Sequence, residues 1–225
     1  MRRICLALAA FAAFLAAGDS PAQIALVARQ SLSATELGAP VGASLGLRLT
    51  LVRLEGSGWT RESAVAILRK AAGILAQCGV ALERAELETL AAPGYLDFST
   101  PAARELARAH PVARPTVYLV RDTKNIPAFD AEAIGRGNSR TRPELADTVW
   151  LTAATRDPGV ALAHELAHVL MDSGEHNREE GNLMRRETAP GNLALSPAQC
   201  ARLRETGRGN GLLRGDPPRF PPANR

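Results

Sequence analysis

The chain has 225 residues, of which 46% are hydrophobic, 22% charged and 4% aromatic, with a formal net charge of +4 at pH 7. That is enough apolar chain for one good core, and neither an internal repeat nor a mid-chain linker argues for a second. Near-balanced charge, with no basic run interleaved with aromatics, argues against nucleic acid as a partner.

Met1-Arg2-Arg3, the apolar run from Ile4 to Ala17 and the small, polar stretch after it follow the order of a secretory signal peptide over residues 1–22. The run is too short to span a bilayer comfortably. Cleavage would follow Ala22 or Gly18, releasing an exported chain, periplasmic or secreted, without membrane attachment. Cys5 lies too early to be a lipid-modified mature terminus, and its removal leaves Cys78 and Cys200. Two cysteines in an exported protein predict one disulfide, with two separate buried thiols as the alternative. Closing so long a loop would stabilise the fold by on the order of 4 kcal/mol.

Residues 23–44 show no firm periodicity and read as an N-terminal extension. Leu45 to Leu54 alternates Leu47, Leu49 and Leu51 with Arg48, Thr50 and Arg53, which predicts a strand with one face in the core. Thr60 can cap a helix whose apolar positions Ala64, Ile67, Leu68, Ala71, Leu75 and Cys78 keep the 3.6-residue period, and Gly79 stands where a C-terminal glycine belongs. Val80–Leu90 predicts a strand, Thr100–Ala109 a short helix and Pro115–Arg121 a β-branched, aromatic strand. An edge strand is expected around Ala133–Ser139 and another strand over Asp147–Ala153. Asp157-Pro158 opens a further helix with a cap and an N1 proline. Ser196-Pro197-Ala198-Gln199 is a capping box that starts a final helix. From Gly207 the chain turns Gly- and Pro-rich and reads as a disordered tail over 207–225, in which Arg214-Gly215-Asp216 is a chance adhesion-type tripeptide.

The helix opened by Asp157 carries the chemistry. It contains His164-Glu165-Leu166-Ala167-His168, and His176 follows closely, so three of the chain's four histidines crowd together. Residues four apart share a helix face, so His164 and His168 can present two imidazoles to one ion while Glu165 projects beside them. Imidazole ligands with a vacant fourth place make a catalytic zinc site, where a water's pKa falls to roughly 7 and Glu165 would be the general base. Leu162, Leu166, Val169 and Leu170 point away and can anchor the helix in the core. Gly174 is expected to supply the left-handed turn that sends the chain back toward the metal. His110, at a helix end, reads as a structural or surface histidine outside the site.

The order of elements over residues 45–206, the His164–His168 motif, the downstream His176 and Asn182-Leu183-Met184 resemble the metzincin group of zinc metallopeptidases. The resemblance implies an α+β fold. A twisted mixed sheet of about four to five strands would carry an N-terminal-half helix, an active-site helix and a C-terminal helix. It implies one Zn2+ held by His164, His168 and His176, Glu165 as base, and Met184 in a turn under the metal. It also implies an extended peptide or protein substrate laid along the edge strand. The spacing departs from the family pattern, which has glycine where this chain has Met171 and the third ligand where it has Gly174. The turn must therefore bulge by about two residues, and Asp172, Glu175, Glu179, Glu180 and Glu187 stay open as alternative third ligands. Asn177–Gly181 reads as a solvated loop or a cleft rim.

The function expected is that of an exported, monomeric zinc metalloendopeptidase. Two rivals stand beside it: an exported zinc-binding protein without hydrolytic activity, and an envelope interaction module using the Pro-rich tail. Glu165 discriminates the first, because a purely sequestering site gives it no task.

Overall fold

The computed structural model describes residues 23–38 and 43–215; the signal peptide expected over residues 1–22, with Cys5, and the expected tail over residues 216–225 lie outside the described residues. The chain forms β1 (Ala25–Ser33), β2 (Leu45–Leu54), α1 (Arg61–Leu75), β3 (Val80–Ala91), β4 (Asp97–Phe98), α2 (Thr100–Ala109) and β5 (Thr116–Val120). It continues with β6 (Asp122–Thr123), β7 (Ala131–Ile134), β8 (Thr148–Thr152), α3 (Pro158–Met171), α4 (Pro197–Gly209) and β9 (Leu213–Arg214). The main sheet has strand order β1-β3-β2-β5-β8-β7, with β9 added against β2; β4 and β6 form a separate two-stranded pair. Its centre, β3-β2-β5-β8, is parallel, and both outer strands are antiparallel to their neighbours.

Helices cover both faces. One core gathers α1, α3 and α4 against Leu47, Leu49, Leu51, Val117 and Val149. The other sets α2 against Val52, Leu54, Tyr118 and Trp150, with Tyr118 and Trp150 stacked at 4.1 Å between ring centroids. β2 is thus apolar on both sides over its second half, as a central parallel strand must be, and even Thr50 is buried. The expectation of a strand with one wet face holds only near Arg48.

The caps form where the sequence placed them. Thr60 and Ser63 close a capping box on α1, Gly79 takes a left-handed φ of 71°, and Ser196 with Gln199 caps α4. Asp157 accepts from Val160 N at the start of α3 and from Lys70 Nζ at 2.9 Å, tying α3 to α1. Cys78 and Cys200 form a disulfide with Cα atoms 4.9 Å apart, joining the end of α1 to α4.

Three expectations are corrected. The sheet has seven strands rather than four to five, because residues 23–44 supply β1 and the chain end supplies β9. Most of β1 is exposed on both faces, so it has no hydrophobic period to read. The disordered tail does not begin at Gly207: α4 runs to Gly209, and Leu213 and Arg214 pair with Leu47 and Gly46. Gly207 is a packing residue, since a Cβ there would lie 2.8 Å from Leu213 and 3.3 Å from Leu170. The edge strand is Ala131–Ile134, so it ends where the sequence suggested it begins, and residues 135–139 are loop.

Candidate metal centre

α3 is apolar almost all round, and from Gly159 to Met171 every residue is buried. Such a helix has no wet face to give away, so its polar residues need partners or a ligand. His164 is 2% exposed, His168 7% and Glu165 8%.

The partners of the histidines are main-chain carbonyls. His164 Nδ1 lies 2.7 Å from Leu183 O, and His168 Nδ1 lies 2.5 Å from Ser173 O. An N–H donated there leaves each Nε2 as a bare acceptor, and the two Nε2 atoms face each other at 2.9 Å. His176 completes the group, with its ring centroid 5.4 Å from that of His164 and 4.9 Å from that of His168. One ligand atom from each of the three lies within 4.8 Å of the others, and this group could hold a metal ion. Ligands 2.0–2.1 Å from a tetrahedral ion sit about 3.3 Å apart, between these two separations. Three imidazoles turning acceptors toward one point fit a cation and offer nothing to an anion.

Loss of solvation holds all three imidazoles below the usual histidine range, deeply for the buried His164 and His168 and only through partial cover for the exposed His176. For His168 it acts with the neighbouring His164 to push the value down to about 4; for His164 burial dominates, and for His176 burial is joined by Arg186. All are therefore neutral at pH 7, the form that binds metal. Glu165 is pushed up to about 8 by burial and by the Glu132 carboxylate, opposed by a hydrogen bond from the Ala133 backbone. A buried acid beside three neutral acceptors is a site short of positive charge.

The bulged turn is built differently from expectation. Asp172, not Gly174, takes the left-handed conformation, with φ 45°, and caps α3. Asp and Asn bear that conformation better than other residues with a Cβ. Asp172 Oδ1 also accepts from Gly137 N at 3.2 Å, and a Cβ on Gly135 would lie 2.9 Å from it. Asp172 thus pins the loop after β7 to the end of the metal helix. Sequence reasoning missed this role and that of Ser173; the one available signal was Asp-Ser-Gly directly after a helical period.

Of the open alternatives, Asp172 and Glu187 line the cleft but stand outside the three-histidine group, and Glu175 is 79% exposed and paired with Arg202 at 2.7 Å. Glu179 and Glu180 are exposed, and residues 177–181 do not line the cleft. Met184 is buried in the core beside α3; its carbonyl accepts from Asn177 N at 2.7 Å, while the preceding Leu183 carbonyl meets His164. The Asn182-Leu183-Met184 segment therefore holds two histidine-bearing stretches through its main chain. Asn182 fixes it by accepting from Met184 N at 2.9 Å and by pairing its amide with Gln199 of α4. His110 lies elsewhere, against Glu88.

The histidines and Glu165 open onto a cleft of about 900 Å³ bounded by β7 and by the segment after Met184. Its charged lining is acidic, with Asp130, Glu132, Glu165, Asp172 and Glu187 against Arg186. Among the described residues β7 pairs with β8 alone, so its other edge is free of them beside the cleft.

The fold is similar to that of a solved metalloproteinase. Metalloproteinase-II from Bacteroides fragilis superposes with a TM-score of 0.52 at 16% sequence identity, over 77% of this chain and 60% of that one. The chain thus spans about three-fifths of the length of that protein, and at this identity the likeness is one of fold. No family model matches the sequence, and no curated protein matches it.

Proposed function

We propose that the protein is an exported zinc metallopeptidase that hydrolyses peptide bonds in peptide or protein substrates, with Glu165 as general base. The observation that carries this reading is the convergence of three neutral imidazoles and a buried carboxyl in one cleft beside a free strand edge. The metalloproteinase fold supports it.

His164, His168 and His176 would hold the ion, with the Leu183 and Ser173 carbonyls keeping the first two rings in the required tautomer and orientation. Zinc bound there supplies Lewis acidity, which makes water acidic near neutral pH and polarises a carbonyl. Beside a bound cation Glu165 would be ionised rather than held up at about 8; it would then take the proton from the attacking water and return it to the leaving amine, so no acyl-enzyme forms. The free edge of β7 offers main-chain groups to an extended peptide, and its alanines, Ala131 and Ala133, keep the approach to the cleft thin. Met184 acts through its turn and touches no substrate.

Export belongs to the same reading. A disulfide persists in an oxidising compartment, and among the described residues no helix is long and apolar enough to cross a membrane. The chain would act as a monomer, without nucleic acid and without membrane attachment after signal cleavage.

Glu165→Ala tests the reading. It should abolish casein or peptide cleavage while zinc stays bound. Undiminished cleavage removes Glu165 from the mechanism, and a wild-type protein that binds zinc but cleaves nothing is a zinc-binding protein instead.

A further inference from the structure

The sheet carries a second concavity, far in sequence from the metal cleft and made from other strands. On one side of β2 the neighbouring strand changes: β9 pairs with Gly46 and Leu47, and β5 takes over at Thr50. Among the described residues Arg48 and Leu49 have no strand partner on that side, which leaves a notch of about 240 Å³ in the sheet.

Four arginines surround it. Arg48 and Arg84 are register partners on β2 and β3, so their side chains rise from the same face of adjacent strands. Arg214 is the partner of Gly46, two residues before Arg48, and therefore shares that face. Arg114, just ahead of β5, lines the opposite wall. It is the face that α2 covers further along, over Val52 and Leu54. The notch end is uncovered.

Like charges directly opposite one another across strands are unfavourable, so this grouping needs a source of negative charge. The protein supplies it in part. Arg48 pairs with Glu83 at 3.0 Å and Arg84 with Glu86 at 2.6 Å, both through Nε. Glu83 reaches Arg48 by lying over Gly46, where a Cβ would come within 2.1 Å of its carboxylate carbon. Arg114 donates Nη2 to Glu144 O, and its guanidinium lies beside the buried Tyr118 hydroxyl, with Nη1 making no hydrogen bond among the described residues. Arg214 makes no ion pair among the described residues. Around the notch four guanidiniums stand against two carboxylates, Glu83 and Glu86, which leaves an excess of positive charge.

Guanidinium forks match tetrahedral oxyanions, and pairs that engage Nε leave Nη groups for a second acceptor. We propose that this notch binds a phosphate-type oxyanion between Arg48, Arg84 and Arg214, with Arg114 as its inner wall. The site is independent of the metal centre. It would let the protein sense a phosphate-bearing ligand while the cleft stays free, and a headgroup among such ligands would be held peripherally, without a membrane anchor.

The test uses the mature protein at fixed ionic strength. Calorimetric titration with inorganic phosphate and with pyrophosphate reads free anions, and flotation with neutral vesicles, with and without phosphatidic acid, reads a lipid headgroup. Saturable one-to-one binding of at least one probe is expected, weakened tenfold or more by Arg48→Gln with Arg214→Gln. Both residues are exposed, and an unchanged melting temperature and unchanged peptide cleavage would show that the double variant is folded. Arg61→Gln, on α1 away from the notch, should bind as wild type does. Binding of soluble anions alone assigns a free phosphate, and phosphatidic-acid-dependent flotation assigns a headgroup. No saturable binding of any probe, or equal binding by the double variant, overturns the proposal.

Discussion

A lone histidine paired with a carboxylate and a cluster of three histidines sit on opposite sides of the sheet, and they are solved differently. On the α2 side, His110 Nε2 meets Glu88 at 2.5 Å, and Glu88, 4% exposed, is paired on its other flank with Arg29 at 2.8 Å. Every charge there has a protein partner, so the cluster is complete as it stands. On the α3 side, His164 and His168 spend Nδ1 on carbonyls and aim Nε2 at each other, with His176 closing the group and Glu165 carrying no counter-charge. A buried polar group in a folded protein is normally satisfied, and the cluster that is not satisfied internally is the one built for something else.

The sharpest way to break this contrast is to remove one carboxylate from each side. Glu165→Gln should lower kcat/KM for peptide cleavage by about 10²–10⁴-fold with little change in melting temperature, since it removes a general base. Glu88→Gln should leave kcat/KM unchanged and cost about 1–3 kcal/mol of stability, measured by urea unfolding, because Arg29 and His110 lose a buried partner. Activity lost in a fully stable Glu88→Gln protein would mean that the α2 side takes part in function.

The disulfide bears on one cluster only. Cys78 and Cys200 clamp α1 to α4, and both helices pack on α3. Replacing both cysteines with alanine should cost on the order of 4 kcal/mol in the chain-entropy picture. Hydrogen exchange should then rise in α3 and α4 before it rises in α2. Uniform loosening of both sides would contradict the clamp.

The smallest effect lies on the α2 side and depends on pH. Glu144 is held down at about 2, first by the hydrogen bond from Arg104, then by its own backbone N–H, with Arg108 adding charge attraction. A carboxyl whose folded value lies below its unfolded value near 4.5 stabilises the fold fully above that value and loses this contribution as pH falls toward 2. The melting temperature of wild type should therefore exceed that of Glu144→Gln at pH 6, and the two should converge between pH 4.5 and 2. Parallel curves over that window would remove the ion pair from the stability of this side.

What could be read in the sequence was what local chemistry decides. Thr60, Asp157 and Ser196 begin helices because their side chains satisfy the first N–H groups, and Gly79 ends one because it alone tolerates a φ of 71° without cost. His164, Glu165 and His168 share a site because the helix period puts them there. What could not be read depended on distant partners. β1 is held by pairing with β3 along its whole length and buries only Leu32, and β9 is two residues placed by Gly207 packing on Leu213. Asp172 takes its unusual conformation because the loop at Gly135–Gly137 needs its carboxylate, a contact across 35 residues. The arginine notch is invisible before the register is known, since Arg48, Arg84, Arg114 and Arg214 share no sequence pattern.

The central claim is that His164, His168 and His176 bind one divalent ion together. Metal analysis of the purified mature protein beside His176→Ala tests it most directly, with zinc affinity measured by competition against a chelator. The account predicts one zinc per chain in the wild type and a large loss of affinity in the variant, with His110→Ala unchanged. A His176→Ala protein that keeps full stoichiometry and affinity, or a wild type that binds no zinc, would contradict it.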